Sequence, residues 1–370
     1  MSINSNHKSY ITATAAYTCV GDTDALMQAL YHCQTGISET ELQSSDKTVA
    51  VGSFKNISFF EALEQTCSEV LAKSKLDSFA DTLLIVGSSV GGMAESEAHY
   101  FQDGNYKNIN PNQHVIHVIA EHLDAMFHFK GIRSLSTACT SSSNALMLAK
   151  RLISYGAYKH ILVVGADALC HTTVEGFNAL GILSDAPCKP FDSERNGMNV
   201  AEGIAVLLIE RSCHGESIEL IGAAGSSDAF HITNPDPNAA GAISAITAAL
   251  KDAGLETEEV DYINAHGTGT QANDASEALA IETLFKQRPP VSSTKAVTGH
   301  TLGAAGALEA VICVEALKRE MIPPACNLDS SLFTALNLPS APVAKSINYV
   351  LSNSFAFGGN NVSLLFGRPS

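Results

Sequence analysis

Tryptophan is missing from the 370-residue chain, and aromatic residues make up only 6% of it. Basic residues are scarce as well: 22 Lys and Arg stand against 38 Asp and Glu, a formal charge of −16. That balance excludes a nucleic-acid binder, which needs a basic surface to neutralise phosphates. No basic run offers itself to an anionic membrane either. No stretch approaches the ~18 continuous apolar residues of a spanning helix, and the N-terminus lacks the charged-then-apolar pattern of a secretory leader. Paired cysteine spacing is also absent. The nine cysteines (19, 33, 67, 139, 170, 188, 213, 313 and 326) include no Cys-x-x-Cys, which reads as reduced thiols in a cytoplasmic protein.

What is present is a 45% hydrophobic chain with 27 glycines and 16% charged residues, enough for a large core with economical loops. Buried-strand candidates recur at 9–16, 83–87, 132–135, 160–167 and 203–210, then again at 218–222, 260–264, 349–353 and 361–366. Between them, helical spacing marks 24–31, 59–72, 115–127, 144–153, 240–253, 274–285 and 303–318. Residues 37–57 read as polar and irregular. This repeated alternation predicts an α/β layered fold of two similar halves, residues 1–214 and 215–370, with a seam near Cys213–Ser217.

Chemistry concentrates in four stretches. Thr137-Ala138-Cys139-Thr140-Ser141 joins a short strand to a helix, where unpaired N–H groups and the helix dipole favour a thiolate. Taken alone, Cys139 reads equally well as a buried structural cysteine. His266-Gly267-Thr268-Gly269-Thr270 follows a buried strand, and the alternation of Thr268 and Thr270 lets both hydroxyls face one cavity. Lys295 and His300 share a second loop, which opens onto the small-residue run through Glu309. Phe355-Ala356-Phe357-Gly358-Gly359-Asn360-Asn361 is a glycine-ended loop suited to a gate or an N–H donor site. His114, His117, His122 and His128 cluster near one helix, but no carboxylate or cysteine completes a metal-ligand pattern, so no metal is assigned.

Each histidine alone reads as structural. One cysteine and two histidines, each on a loop at a strand end, form a nucleophilic constellation. Together these motifs resemble those of the β-ketoacyl-[acyl-carrier-protein] synthases, closest to the elongating type II condensing enzymes of the thiolase superfamily. Pro190-Phe191-Asp192 with Arg195-Asn196-Gly197 is similar to a further family stretch.

The resemblance implies a thiolase-like αβαβα fold, a dimer joined at about residues 133–138, and an acyltransferase acting by decarboxylative Claisen condensation. It implies Cys139 as nucleophile, His266 and His300 as donors to the enolate, and Lys295 with Glu309 as their support. The N–H of Phe357 and the flexible Gly358 would form the oxyanion and gate region; Thr268, Thr270 and Val90 would contact substrate. No cofactor is implied beyond the phosphopantetheine of an acyl carrier protein, the partner. A homodimer, or a heterodimer with a related synthase or chain-length-factor subunit, would result. Fatty-acid synthesis and a specialised polyene or polyketide pathway both remain open.

Three rival readings are weaker. A thiolase would place a second cysteine where Phe357 stands. A non-catalytic chain-length factor would lack Cys139, and a cysteine hydrolase leaves His300 or His266 and Lys295 unexplained. Ala356 and Asn360 depart from the glycine and threonine common in the gate loop. The net acidity leaves the docking of an acidic carrier unexplained.

Overall fold

The computed structural model describes residues 7–41 and 48–369. Ten strands build its main sheet: β1 (Tyr10–Thr18), β2 (Leu83–Gly87), β3 (Gly131–Leu135), β4 (His160–Asp167), β5 (Gly203–Glu210), β6 (Ile218–Ser227), β7 (Tyr262–Asn264), β8 (Val291–Ser292), β9 (Tyr349–Ala356) and β10 (Asn360–Gly367). The spatial order is β8-β7-β9-β10-β6-β1-β5-β4-β2-β3, with Gly21–Asp22 added as a short strand on β1. The order is a duplication. In each half the first strand pairs antiparallel with the fifth and the fifth antiparallel with the fourth; the fourth then pairs parallel with the second, and the second parallel with the third. The halves meet at β1 and β6 through only two residue pairs, Tyr10 with Glu219 and Ile11 with Ile218.

Strand periodicity produces the layers. Leu83 and Ile85 of β2, with Ile161 and Val163 of β4, face a central core, while Leu84, Val86, Leu162 and Val164 face an outer one. The outer core lies under helices Phe59–Lys73 and Val118–Phe127. In the second half, Val350 and Leu364 face the centre, and Leu351 and Leu365 face an outer core under helices Ala240–Ala253 and Gln271–Leu284. Between the two half-sheets run helices Ser141–Ser154 and Ala305–Arg319. The latter buries 12 of its 15 residues, as a helix hydrophobic on all sides must. The result is a five-layer αβαβα arrangement whose two central helices each follow the third strand of a half.

Several expectations need correction. Residues 38–41 and 48–51 form a short antiparallel hairpin whose second strand buries Val49, Ala50 and Val51. Helices Met93–Asp103 and His171–Ala179 were not foreseen, because polar residues break their apolar spacing. The helix expected at 115–127 begins at Val118, after a separate turn Pro111–His114. Not all cysteines are free: Cys33 and Cys326 form a disulfide, with Cα atoms 5.3 Å apart across 293 residues of sequence. Spacing along the chain carries no signal of such a pairing. Histidines 114, 117 and 122 do not converge; they engage Ser96, Ser134 and Glu64 respectively.

Candidate active site

Cys139 sits at an elbow. Ala138 before it has φ +53°, a left-handed conformation that a β-carbon disfavours. The elbow is held by local bonds. Thr137 N–H donates to Ser141 Oγ, Ser141 Oγ–H donates to Ala138 O at 2.6 Å, and Thr140 Oγ1–H donates to Thr137 O. The serine run then ties the first turn of the helix to its surroundings. Ser142 Oγ accepts the N–H of Ala307 at 2.9 Å, and Ser143 Oγ–H donates to Ser354 Oγ on β9 at 2.7 Å. Read from sequence these serines were only small; in the structure they fasten the helix after Cys139 to the other half.

The second central helix brings His300. Its Nδ1 accepts the N–H of Leu302 at 3.3 Å, so the proton resides on Nε2. His266 follows β7, and its ring centroid lies 5.2 Å from that of His300 at 83°. Glu277 fixes the His266 loop by accepting the N–H groups of His266 and Gly267 at 2.9 and 2.8 Å. Beneath both rings Lys295 donates to His266 O at 2.6 Å and pairs with buried Glu309. Glu277 was missed in the sequence; its signal was a second carboxylate three residues after Asp274 on the face of the helix that follows the histidine loop.

These groups meet at one cavity of about 450 Å³, lined among others by Cys139, His266, His300, Thr268, Thr270 and Phe357. Thr268 and Thr270 face it together, their hydroxyls 2.9 Å apart. Asn196 and Gly197 form part of its rim, with Gly197 N–H bonded to Gly269 O at 3.1 Å. Lys295, Glu309, Gly358 and Val90 do not line it. Val90 is buried instead among Met198, Val200 and Leu302.

The region expected as a loop at 355–361 is a tight hairpin tip between β9 and β10, with Gly358 and Gly359 both at positive φ (+81° and +73°). It is latched to the segment at 228–236. Gly358 N–H donates to Ile232 O, Asp228 N–H to Gly359 O, and Asn361 Nδ2 to Asp228 Oδ1 at 2.6 Å. The Phe357 ring rests 5.9 Å from that of Phe177.

Electrostatics differ from expectation at Cys139. Burial pushes the Cys139 thiol up to about 11, against the pull of the Lys295 charge and the N–H groups of Cys139 and Phe357. The resting group is therefore a thiol: desolvation outweighs the N–H groups of the helix start. Burial, then the Lys295 charge, holds His266 and His300 well below the usual imidazole range, so both rings are neutral. Neutral rings can donate to a developing oxyanion without carrying charge of their own. The N–H groups of Cys139 and Phe357, both close to the sulfur, form a second donor pair.

Comparison with known proteins agrees with this geometry. Residues 59–214 match the β-ketoacyl synthase N-terminal domain and residues 218–329 the C-terminal domain. The chain belongs to the β-ketoacyl synthase family. It is 32% identical to 3-oxoacyl-[acyl-carrier-protein] synthase 2 of Vibrio cholerae, across 91% of this chain and 86% of that one. Identity to the enzyme of the same name from Rhizobium meliloti is 36%, over 78% and 74% of the two chains. Among solved structures, the ketosynthase ApeO in complex with its chain length factor ApeC, from Xenorhabdus doucetiae, superposes with a TM-score of 0.89 at 33% identity, covering 98% of each chain. A β-ketoacyl synthase from Burkholderia phymatum gives 0.87 at 28%, over 98% of this chain and 100% of that one. The fold is thus thiolase-like, and the chain is an acyltransferase-class condensing enzyme.

Proposed function

We propose that this synthase elongates an acyl chain carried as a thioester on phosphopantetheine, using a malonyl-carrier extender. The observation that carries the reading is the meeting, at one cavity, of an elbow cysteine with two imidazoles held neutral. Cys139 Sγ attacks the acyl thioester; the carrier thiol departs with the proton that the cysteine gives up. The N–H groups of Cys139 and Phe357 stabilise the tetrahedral oxyanion. Malonyl thioester then loses CO₂, and Nε2–H of His300, with His266, donates to the enolate oxygen. The enolate carbon attacks the acyl-Cys139 carbonyl, the C–S bond breaks, and a β-ketoacyl thioester leaves on the carrier. Lys295 and Glu309 hold the His266 loop from below.

A thiolase reading is disfavoured because Cys139 is the only cysteine among the described residues lining the cavity. For assembly, β3 ends the sheet with a free edge whose residues are half-buried or exposed, which suits pairing with a second synthase-like chain. The test is intact-mass analysis after acyl-carrier loading, followed by malonyl-carrier addition. The expected result is one acyl adduct on Cys139, lost as β-ketoacyl product appears, and no adduct in Cys139→Ala. Acylation of Cys139→Ala, or hydrolysis of the adduct without condensation, overturns the proposal.

A further inference from the structure

Asp167, the last residue of β4, is fully buried and lines no part of the cavity. Yet its carboxylate accepts from two separate segments of the chain. Oδ1 takes the hydroxyl of Ser88 at 2.5 Å and the N–H groups of Ser89 and Val90, each at 2.9 Å. Oδ2 takes the N–H of Gly303 at 2.6 Å, with Ser89 N–H also within 3.0 Å. Ser89 extends the tie, its Oγ–H donating to the carbonyl of Ala138 at 3.0 Å. One carboxylate therefore connects the turn after β2, the start of the helix that follows His300, and the strained residue that precedes Cys139. The connection is tight: a β-carbon at Gly303 would lie 2.6 Å from Ser89 Oγ and 2.8 Å from Asp167 Oδ2.

A buried carboxylate is costly unless charged hydrogen bonds compensate it, and an aliphatic residue would fill the same space at no such cost. What only an anion can do here is draw converging N–H donors from different segments to one point. We propose that Asp167 is a positioning residue that sets the register of the Cys139 elbow against the His300 segment.

The assignment rests on the condensing reading above, and its test separates the two. Asp167→Asn keeps the shape but points an NH₂ group at the N–H donors it should accept. Two readouts follow: condensation kinetics with acyl- and malonyl-carrier, and the pH profile of Cys139 alkylation by iodoacetamide, which needs no condensing activity. In Asp167→Asn we expect kcat to fall ~10–100-fold with KM within about threefold, while Cys139 still alkylates. Ser89→Ala removes only the tie to Ala138 and keeps the charge. It should lower kcat ~3–10-fold, about one hydrogen bond's worth, with alkylation unchanged. If Asp167→Asn fails to fold, Ser89→Ala decides the positioning role. Full kcat in whichever variants fold overturns that role. A wild-type protein that alkylates but never condenses refutes the functional reading instead.

Discussion

Gly306→Ala should separate stability from catalysis, because Gly306 packs directly against Ser143 of the other central helix. An added β-carbon would lie 1.8 Å from Ser143 Oγ, 2.9 Å from Ser143 N and 3.0 Å from Ser143 Cβ. The first contact can be relieved if the hydroxyl turns away, at the cost of its bond to Ser354. The second involves backbone, and packed atoms keep about 3.5 Å, so the helices must part by roughly 0.5 Å. Overpacking of this kind costs ~1–3 kcal/mol. Alanine's better helix propensity returns up to ~1 kcal/mol, leaving a net loss of ~0–2 kcal/mol by denaturant unfolding. Catalysis should suffer more. Cys139 and His300 head the two displaced helices, and a misplacement near 1 Å can cost ~10²-fold. Condensation assayed by product formation should therefore fall ~10–100-fold, while the protein stays folded at room temperature. The double variant with Ser143→Ala, which removes the closest contact, should recover part of the stability. Parental condensation in Gly306→Ala would show that the helix separation does not set the spacing of the nucleophile and the histidine.

Three further outcomes follow. His266→Ala and His300→Ala should each retain some acylation of Cys139 but lose ~10²–10³-fold in malonyl decarboxylation, measured as CO₂ release; a parental rate in either makes that ring structural. Lys295→Met should lose ~3–5 kcal/mol of stability, because Glu309 is left buried without its partner, whereas Lys295→Met with Glu309→Met together should recover much of it. In Glu277→Gln, stability should fall more steeply than wild type between pH 6.5 and 5, read from denaturant midpoints. His266 and His300 must stay neutral when folded but charge when unfolded, so they lose stability as pH falls through 6.5. Glu277, pushed up to about 7 by burial, takes up its proton earlier when folded and so gains stability over the same range; removing it uncovers the histidines' loss.

The sequence made most of the layers legible because buried strands announce themselves. Leu83–Gly87, His160–Asp167 and Gly203–Glu210 were each placed to the residue. The residues brought to one cavity were visible for a related reason: His266 and His300 come after buried strands and Cys139 after the edge strand β3, each among small residues. What stayed hidden were partnerships between distant segments. Asp167 closed an unremarkable strand, and nothing local tells that its carboxylate would meet Gly303. Asn361 was seen as part of a gate, but its grip on Asp228 depends on β10 lying beside β6. The thiolate expected at Cys139 was an error of scale: the N–H groups of the helix start were counted, while the desolvation of the sulfur by its surroundings was not.

The duplicated topology explains why the site is built from both halves. Each half ends its second strand in a turn that a buried carboxylate holds by backbone N–H groups: Asp167 grips Ser89 and Val90 after β2, and Glu277 grips His266 and Gly267 after β7. Burial raises both acids, to about 6 and about 7. Each half also sends a central helix forward from its third strand. Cys139 precedes the first helix and His300 the second, and the starts of the two helices pack together at Ser143 and Gly306. The halves diverge in what the held turn presents. In the second half it presents an imidazole to the cavity; in the first it presents Ser89 to the elbow's carbonyl. One turn supplies chemistry and the other supplies position. The first half alone would own a nucleophile with no donor for an enolate, and the second a pair of donors with nothing to acylate.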